Sequence, residues 1–200
     1  MRHLTRLLPL AALLLSLTGC MVFQSNDAEQ FGTFPPPELG QRPAADRVPV
    51  VFDTSYRLVL GDEEYDRLPR NIGTVNYKAQ EAFEGTGVFR VVRESKDADC
   101  RVAFRVRHEG YPNRAFQLLS LITLYVLPST ASDQFTTEVE LRRGEQVLGT
   151  RTIHHQVRIW NQILLVFGYP FTRFEQIGDR MWTAVMRDAA VWSARQIGKR

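Results

Sequence analysis

The chain has 200 residues, with 25 Lys and Arg against 22 Asp and Glu, 44% hydrophobic residues and two cysteines. That length supports one domain of ordinary size with a core of its own. The near-balanced charge gives no basis for nucleic-acid binding, and two cysteines exclude a disulfide-stapled scaffold.

The first element is a signal. Arg2 and Arg6 precede an apolar run from Leu7 to Leu17 that is too short to span a bilayer, and small residues follow it. Residues 1–19 are therefore expected to be absent from the mature chain, which keeps 23 basic and 22 acidic side chains once Arg2 and Arg6 have left. Leu17-Thr18-Gly19-Cys20 resembles the lipobox of bacterial lipoprotein precursors, a Leu and two small residues before Cys. The resemblance implies a diacylglyceryl group on the Cys20 sulfur, cleavage before Cys20 by the lipoprotein signal peptidase, and acylation of the freed amino group. One acyl chain holds a protein only reversibly, but at about 0.8 kcal/mol per buried methylene several chains on one residue make the attachment permanent. In Gram-negative lipoproteins an Asp after the acylated Cys retains the protein at the inner membrane. Met21 stands there instead, which implies the periplasmic face of the outer membrane, with lipidated Cys20 as the membrane contact. The alternative is an ordinary secretory signal that happens to end in a cysteine.

Residues 20–47 hold Pro35, Pro36, Pro37 and Pro43 with Gly32 and Gly40, and show no sustained apolar period. They read as a tether. At about 3 Å per residue, residues 21–47 extend to on the order of 80 Å, whereas a flexible coil averages roughly 30 Å. Residues 48–200 then form a single domain.

Within it, Val48, Val50, Phe52, Tyr56, Leu58 and Leu60 share one parity and predict a strand, which Gly61-Asp62-Glu63-Glu64 breaks. Ile72, Val75, Ala79, Ala82 and Phe83 recur at helical steps and predict a helix from Leu68 or Pro69 to Glu84, stopped by Gly85-Thr86-Gly87. A short strand covers Val88 to Val92. The next has Cys100, Val102, Phe104 and Val106 on one side and Arg101, Ala103, Arg105 and Arg107 on the other, so one face is covered and one is polar. Cys100 is the one thiol left once Cys20 is acylated, and its parity predicts burial. Phe135, Thr137, Val139 and Leu141 alternate up to Arg143-Gly144, and a returning strand runs from Gln146 to Trp160, a long hairpin with Gly in its turn. Phe174, Ile177, Met181, Val185, Ala189 and Trp192 make the stripe of a last helix, from Phe174 to Ile197. The order predicts an α+β fold, a largely antiparallel sheet with two helices packed on one face.

The stretch Gly87-Val88-Phe89-Arg90-Val91-Val92 followed by Asp97-Ala98-Asp99-Cys100 resembles the small periplasmic domains at the start of TolB-type and CsgG-type envelope proteins. In those domains a helix ends in a Gly-Phe step, and an Ala-Asp-aromatic step opens the next strand; here Cys100 replaces the aromatic. The resemblance covers residues 48–160 and implies a fold, with no active site.

Two uncharged stretches stand outside the alternating plan. Ala115 to Ser132 carries Leu121, Ile122 and Leu124, and Trp160 to Thr172 carries Leu164, Val166 and Phe167. Their apolar cores, about 13 and 9 residues, fall short of the roughly 20 a membrane-crossing helix needs. If the strands around them are neighbours, both leave the same end of the sheet. They are either extra core under the helices or an exposed tip for a lipid surface, an envelope partner or a second copy of the chain.

His108, His154 and His155 invite a metal reading. Adjacent strand residues point to opposite faces, so His154 and His155 cannot share an ion without a bulge. Asp62, Glu64 and Asp66 lack the Gly and the terminal Glu of a calcium loop. No nucleophile elbow, phosphate-binding glycine loop or zinc-protease motif is present. The expectation is a non-catalytic binding or assembly component of the cell envelope, without a cofactor. An envelope hydrolase or metal-dependent enzyme using His108, His154 or His155 is the alternative.

Overall fold

The computed structural model of the chain describes residues 42–66, 68–112, 114–123, 129–161 and 174–198. Cys20, Leu124, Leu164, Val166 and Phe167 lie outside the described residues.

One mixed sheet carries β1 (Val48–Leu60), β2 (Glu63–Asp66), β3 (Phe89–Val91), β4 (Cys100–Pro112), β5 (Ser129–Arg143) and β6 (Gln146–Asn161). Its order is β2-β1-β4-β5-β6, with β3 also paired to β1. The pairs β1/β2, β4/β5 and β5/β6 are antiparallel, whereas β1 runs parallel to both β3 and β4. The helices are α1 (Pro69–Gly85), α2 (Arg114–Ile122) and α3 (Phe174–Gly198). The α+β class is as the sequence predicts, and α1 is the crossover that lets β4 return parallel to β1.

Helix and strand periods meet on one face. Pro69 opens α1 at a position where its missing N–H costs nothing, and Val75, Ala79 and Phe83 then fall fully buried at four-residue steps. Gly87, at φ 70°, completes the stop in a conformation that a Cβ would strain, and the Thr86 hydroxyl donates to the Phe83 carbonyl at 2.7 Å. Beneath the helices the sheet presents Val50, Cys100, Val102, Phe104, Val106, Val139 and Leu141, all buried. The Phe83 ring meets Phe52 at 5.1 Å and Phe104 at 6.1 Å, both edge-on. Trp182 of α3 meets Tyr56 at 6.4 Å and Phe135 at 5.8 Å. The helices also pack on each other, and Lys78 Nζ lies 2.7 Å from Asp179 Oδ1 across that seam.

The register defines two ends of the sheet. At one, Val50 pairs with Cys100, Cys100 with Arg143, and Gly144 turns the β5–β6 hairpin at φ 56°. At the other, Leu60 pairs with Gly110, Pro112 with Ala131 and Ser129 with Asn161. The residues before β1 join the first end, where the Arg42 amide donates to the Gly87 carbonyl at 3.3 Å. Residues 42–47 of the expected tether, with a short 3-10 turn at Ala44–Asp46, therefore already belong to the folded part.

Three local expectations change. Gly61-Asp62 does not merely end β1: it turns the chain into β2, which pairs back along Arg57 to Leu60. The strand expected over Val88 to Val92 is shortened to β3. The first uncharged stretch begins as a helix, α2, and ends by entering β5 at Ser129.

Candidate functional site

Helix α2 sits at the end of the sheet opposite the β5–β6 turn, between β4 and β5. From Ala115 to Leu121 there is no β-branched residue, Gly or Pro, which favours helix, and the β-branched pair Ile122-Thr123 closes it. Thr123 donates its amide and its hydroxyl to the Leu119 carbonyl at 3.1 and 3.0 Å. A helix on a protein surface normally turns its apolar arc inward. Here Leu118, Leu119, Leu121 and Ile122 remain 61%, 44%, 57% and 70% exposed. At 100° per residue the four span an arc of about 160°. Tyr111, near the end of β4, is exposed, and its hydroxyl donates to Glu109 Oε2 at 2.5 Å.

Two of the six residues expected at an apolar tip, Leu121 and Ile122, are thus placed on a solvent-facing helix and not in the core. The second uncharged stretch is placed only by its flank. Asn161, the last residue of β6, pairs with Ser129, so the chain leaves the sheet at the same end as α2. Among the described residues no helix is long and apolar enough to cross a membrane.

The three histidines do not converge. His154 lies on the open face of the sheet, exposed, with Nδ1 3.1 Å from the Thr136 hydroxyl. His108 and His155 face the helices, on either side of Phe135, because Phe135 pairs with both. At about 4.8 Å per strand, their backbones stand roughly 10 Å apart. His108 stacks on Phe135 with ring centroids 4.1 Å apart. Among the described residues no group of three or more His, Cys, Asp or Glu side chains is placed to hold a metal ion.

His108 instead joins a polar line that the sequence does not reveal. Tyr56 Oη is 3.0 Å from His108 Nδ1, and His108 Nε2 is 3.4 Å from Asp133 Oδ2. The second approach is not directed as a hydrogen bond. Burial pushes the Tyr56 phenol up to about 12, with the hydrogen bond from Asn71 opposing and the negative charge of Asp133 adding to it. The line ties β1, β4 and β5 together two to four residues below the tip.

On the open face, a concavity of 640 Å³ is lined by Ser55, Arg57, Arg105, Arg107 and Glu138, among others. Each guanidinium has a carboxylate: Arg57 with Glu64 at 2.8 Å, Arg105 with Glu138 at 3.3 Å and Arg107 with Glu109 at 2.5 Å. Such exposed pairs compensate one another and leave a hydrated surface. Cys100 is buried as expected. Burial raises its thiol pKa, and Arg143, its partner across β4 and β5, opposes that rise. Arg101 and Arg105 lie on the other face of the strand, and it takes the β4–β5 pairing to bring Arg143 beside Cys100.

No family model matches the sequence, and no curated protein does. Solved structures similar to it include a Xanthomonas campestris protein of the DUF330 family, 14% identical over 82% of this chain and 92% of that one, with a TM-score of 0.48. A Helicobacter pylori protein described as a homologue of a neuraminyllactose-binding hemagglutinin is 8% identical over 80% of this chain and 94% of its own, with a TM-score of 0.42. A minor lipoprotein of Acinetobacter baumannii is 10% identical over 76% of this chain and 92% of its own, with a TM-score of 0.34.

Proposed function

We propose that the chain is an outer-membrane lipoprotein facing the periplasm, held by an acylated Cys20, that works without catalysis as a binding or assembly component of the cell envelope. The observation that carries this reading is the exposed apolar arc of α2, Leu118, Leu119, Leu121 and Ile122. Contiguous exposed apolar surface on a folded domain marks a place of contact. The second uncharged stretch, with Leu164, Val166 and Phe167, is proposed as part of the same contact; β6 before it ends at Asn161, which pairs with Ser129 at the end of the sheet that carries α2. A lipobox in the signal, Met21 after Cys20, and a Pro-containing run before Arg42 supply the anchor, the address and the reach. The likeness to TolB-type and CsgG-type domains enters as one of fold, with no active site attached to it.

Magnitudes fit a contact that works in concert with an anchor. Burying a large aliphatic side chain from full exposure is worth about 1.5–3 kcal/mol, so four that are roughly half exposed supply about 4 kcal/mol. That corresponds to a Kd near 1 mM, which holds a free protein only at millimolar lipid and is ample for one already held at the envelope. His154 is on the opposite face from His108 and His155, so the three do not form one site. The anchor is tested by labelling cells with radioactive palmitate and separating their membranes. The native chain takes up label and sediments with the outer membrane; Cys20→Ser takes up none. Label on Cys20→Ser, or native chain without label, contradicts the lipoprotein reading.

A further inference from the structure

The edge of β1 that faces away from β4 is interrupted. β3 covers it along Val48–Val50 and β2 along Arg57–Leu60, and among the described residues no strand pairs with the stretch between them. The Val48 amide donates to the Val88 carbonyl and the Val92 amide to the Val50 carbonyl, both at 2.9 Å, so even-numbered residues of β1 turn their main chain to this edge. Phe52 and Thr54 therefore point two amides and two carbonyls outward, and among the described residues none of the four has a partner. Phe52 and Ile72 of α1 are only partly buried there. The concavity of 640 Å³ reaches the same place, because Thr54, Tyr56, Asp66 and Ile72 line it together with the open-face arginines. A strand of about five residues fits the gap.

We infer that the occupant is the chain's own tether: residues 30–34 dock on β1, between β3 and β2, as an antiparallel strand. Reach argues for it. The Arg42 amide meets the carbonyl of Gly87, two residues before the Phe89 that pairs with Val48, so the chain arrives on this edge about seven strand steps, roughly 23 Å, from the middle of the gap. The eight steps from Phe34 to Arg42, held extended by Pro35, Pro36 and Pro37, cover about 25 Å at roughly 3.1 Å each. That brings Phe34 to the gap with the chain running opposite to β1. Composition agrees: from Gln30 to Phe34 there is no charge and no Pro, and Phe31 and Phe34 fall on opposite faces of a strand. One ring covers Phe52 and Ile72 while the other lies in the concavity beside Ser55. A separate peptide would have to compete with a segment held at an effective concentration on the order of millimolar. Docked, the tether keeps only residues 21–29 free, about 30 Å at full extension against about 70 Å for residues 21–41. The edge then sets how far the domain stands from its membrane, a consequence that rests on the acylated Cys20 of the reading above, whereas the docking does not.

The test is amide hydrogen exchange on the mature chain with Cys20→Ser, beside the same chain with Gly32→Pro and Thr33→Pro. The two prolines remove the amides of adjacent residues, one of which faces β1 in any register. With the native tether, the Phe52 and Thr54 amides are expected to exchange at least about tenfold more slowly than in the proline variant. The Val102 amide, in a strand paired on both sides, should exchange equally in the two chains and so reports that both are folded. Fast exchange at Phe52 and Thr54 in both chains leaves the edge open to water and overturns the inference. Slow exchange in both shows that something other than residues 30–34 covers the edge and overturns it equally. Neither chain is acylated, so the outcome is independent of the lipoprotein reading.

Discussion

Tyr56 Oη lies 3.0 Å from His108 Nδ1, joining β1 to β4 across fifty-two residues of sequence in the layer just below the apolar end. Because β1 and β4 are parallel and in register, the phenol and the imidazole come together without any local signal in either strand. The pair faces Trp182 and Phe135, so it is a polar contact set in apolar surroundings. There a lost partner is expensive, since the remaining group stays desolvated.

Tyr56 therefore gives a pH dependence with a definite sign. Its phenol is held at about 12 in the folded chain, chiefly by burial, against about 10 in the unfolded one. Between those values the folded state keeps a proton that the unfolded state has lost. Stability from this group is complete below about pH 10 and is lost as pH rises through 12, by about 3 kcal/mol in all. Denaturation midpoints measured across alkaline pH should show that fall, and Tyr56→Phe should flatten it. The same variant should cost about 1–3 kcal/mol at neutral pH, because His108 loses its partner.

Cys100 should be inert while the chain is folded. Burial raises its thiol pKa, so little thiolate is present at neutral pH, and the sulfur lies within the core. Modification by a thiol reagent should follow the rate and denaturant dependence of global unfolding. A fast reaction in native buffer would show that the first residues of β4 open separately.

Gly149 lies under the indole of Trp192, and a Cβ there would stand 3.1 Å from its Cζ2 atom. Gly149→Val should push Trp192 aside and cost about 1–3 kcal/mol, the usual penalty for overpacking. Tryptophan fluorescence of the folded variant should shift toward that of an indole in water.

Apolar residues of α2 and of the core should respond in opposite ways. Phe104, fully buried against Phe52 and Phe83, should cost about 3–5 kcal/mol on change to Ala. Leu118→Asp, on the exposed arc, should change stability by no more than about 0.5 kcal/mol. Urea midpoints of the two variants decide between them.

What the sequence reveals follows from where burial imposes a period. The bounds of β1 and α1 and the turn at Gly144 are legible because Val48, Val50 and Tyr56, or Val75, Ala79 and Phe83, repeat at the spacing of the face they cover. β2 is invisible for the opposite reason: all four of its residues are exposed at a sheet edge, so no period is imposed. Helix α2 is hidden inside a largely apolar, uncharged run, where composition marks an unusual stretch but not its backbone. The polar line through Tyr56, His108 and Asp133 depends on which strands are neighbours, and the sheet order settles that where no single strand does.

The most direct test of the account is flotation of the mature chain carrying Cys20→Ser, without acyl groups, on phosphatidylcholine vesicles at high lipid concentration, beside the same chain with Ile122→Asp. The account predicts that the first chain floats in substantial part. The second should stay at the bottom with an unchanged melting temperature, because Ile122 is an exposed contact residue. If neither chain floats and Ile122→Asp melts early, the side chain is part of the core and the apolar end is not a contact surface.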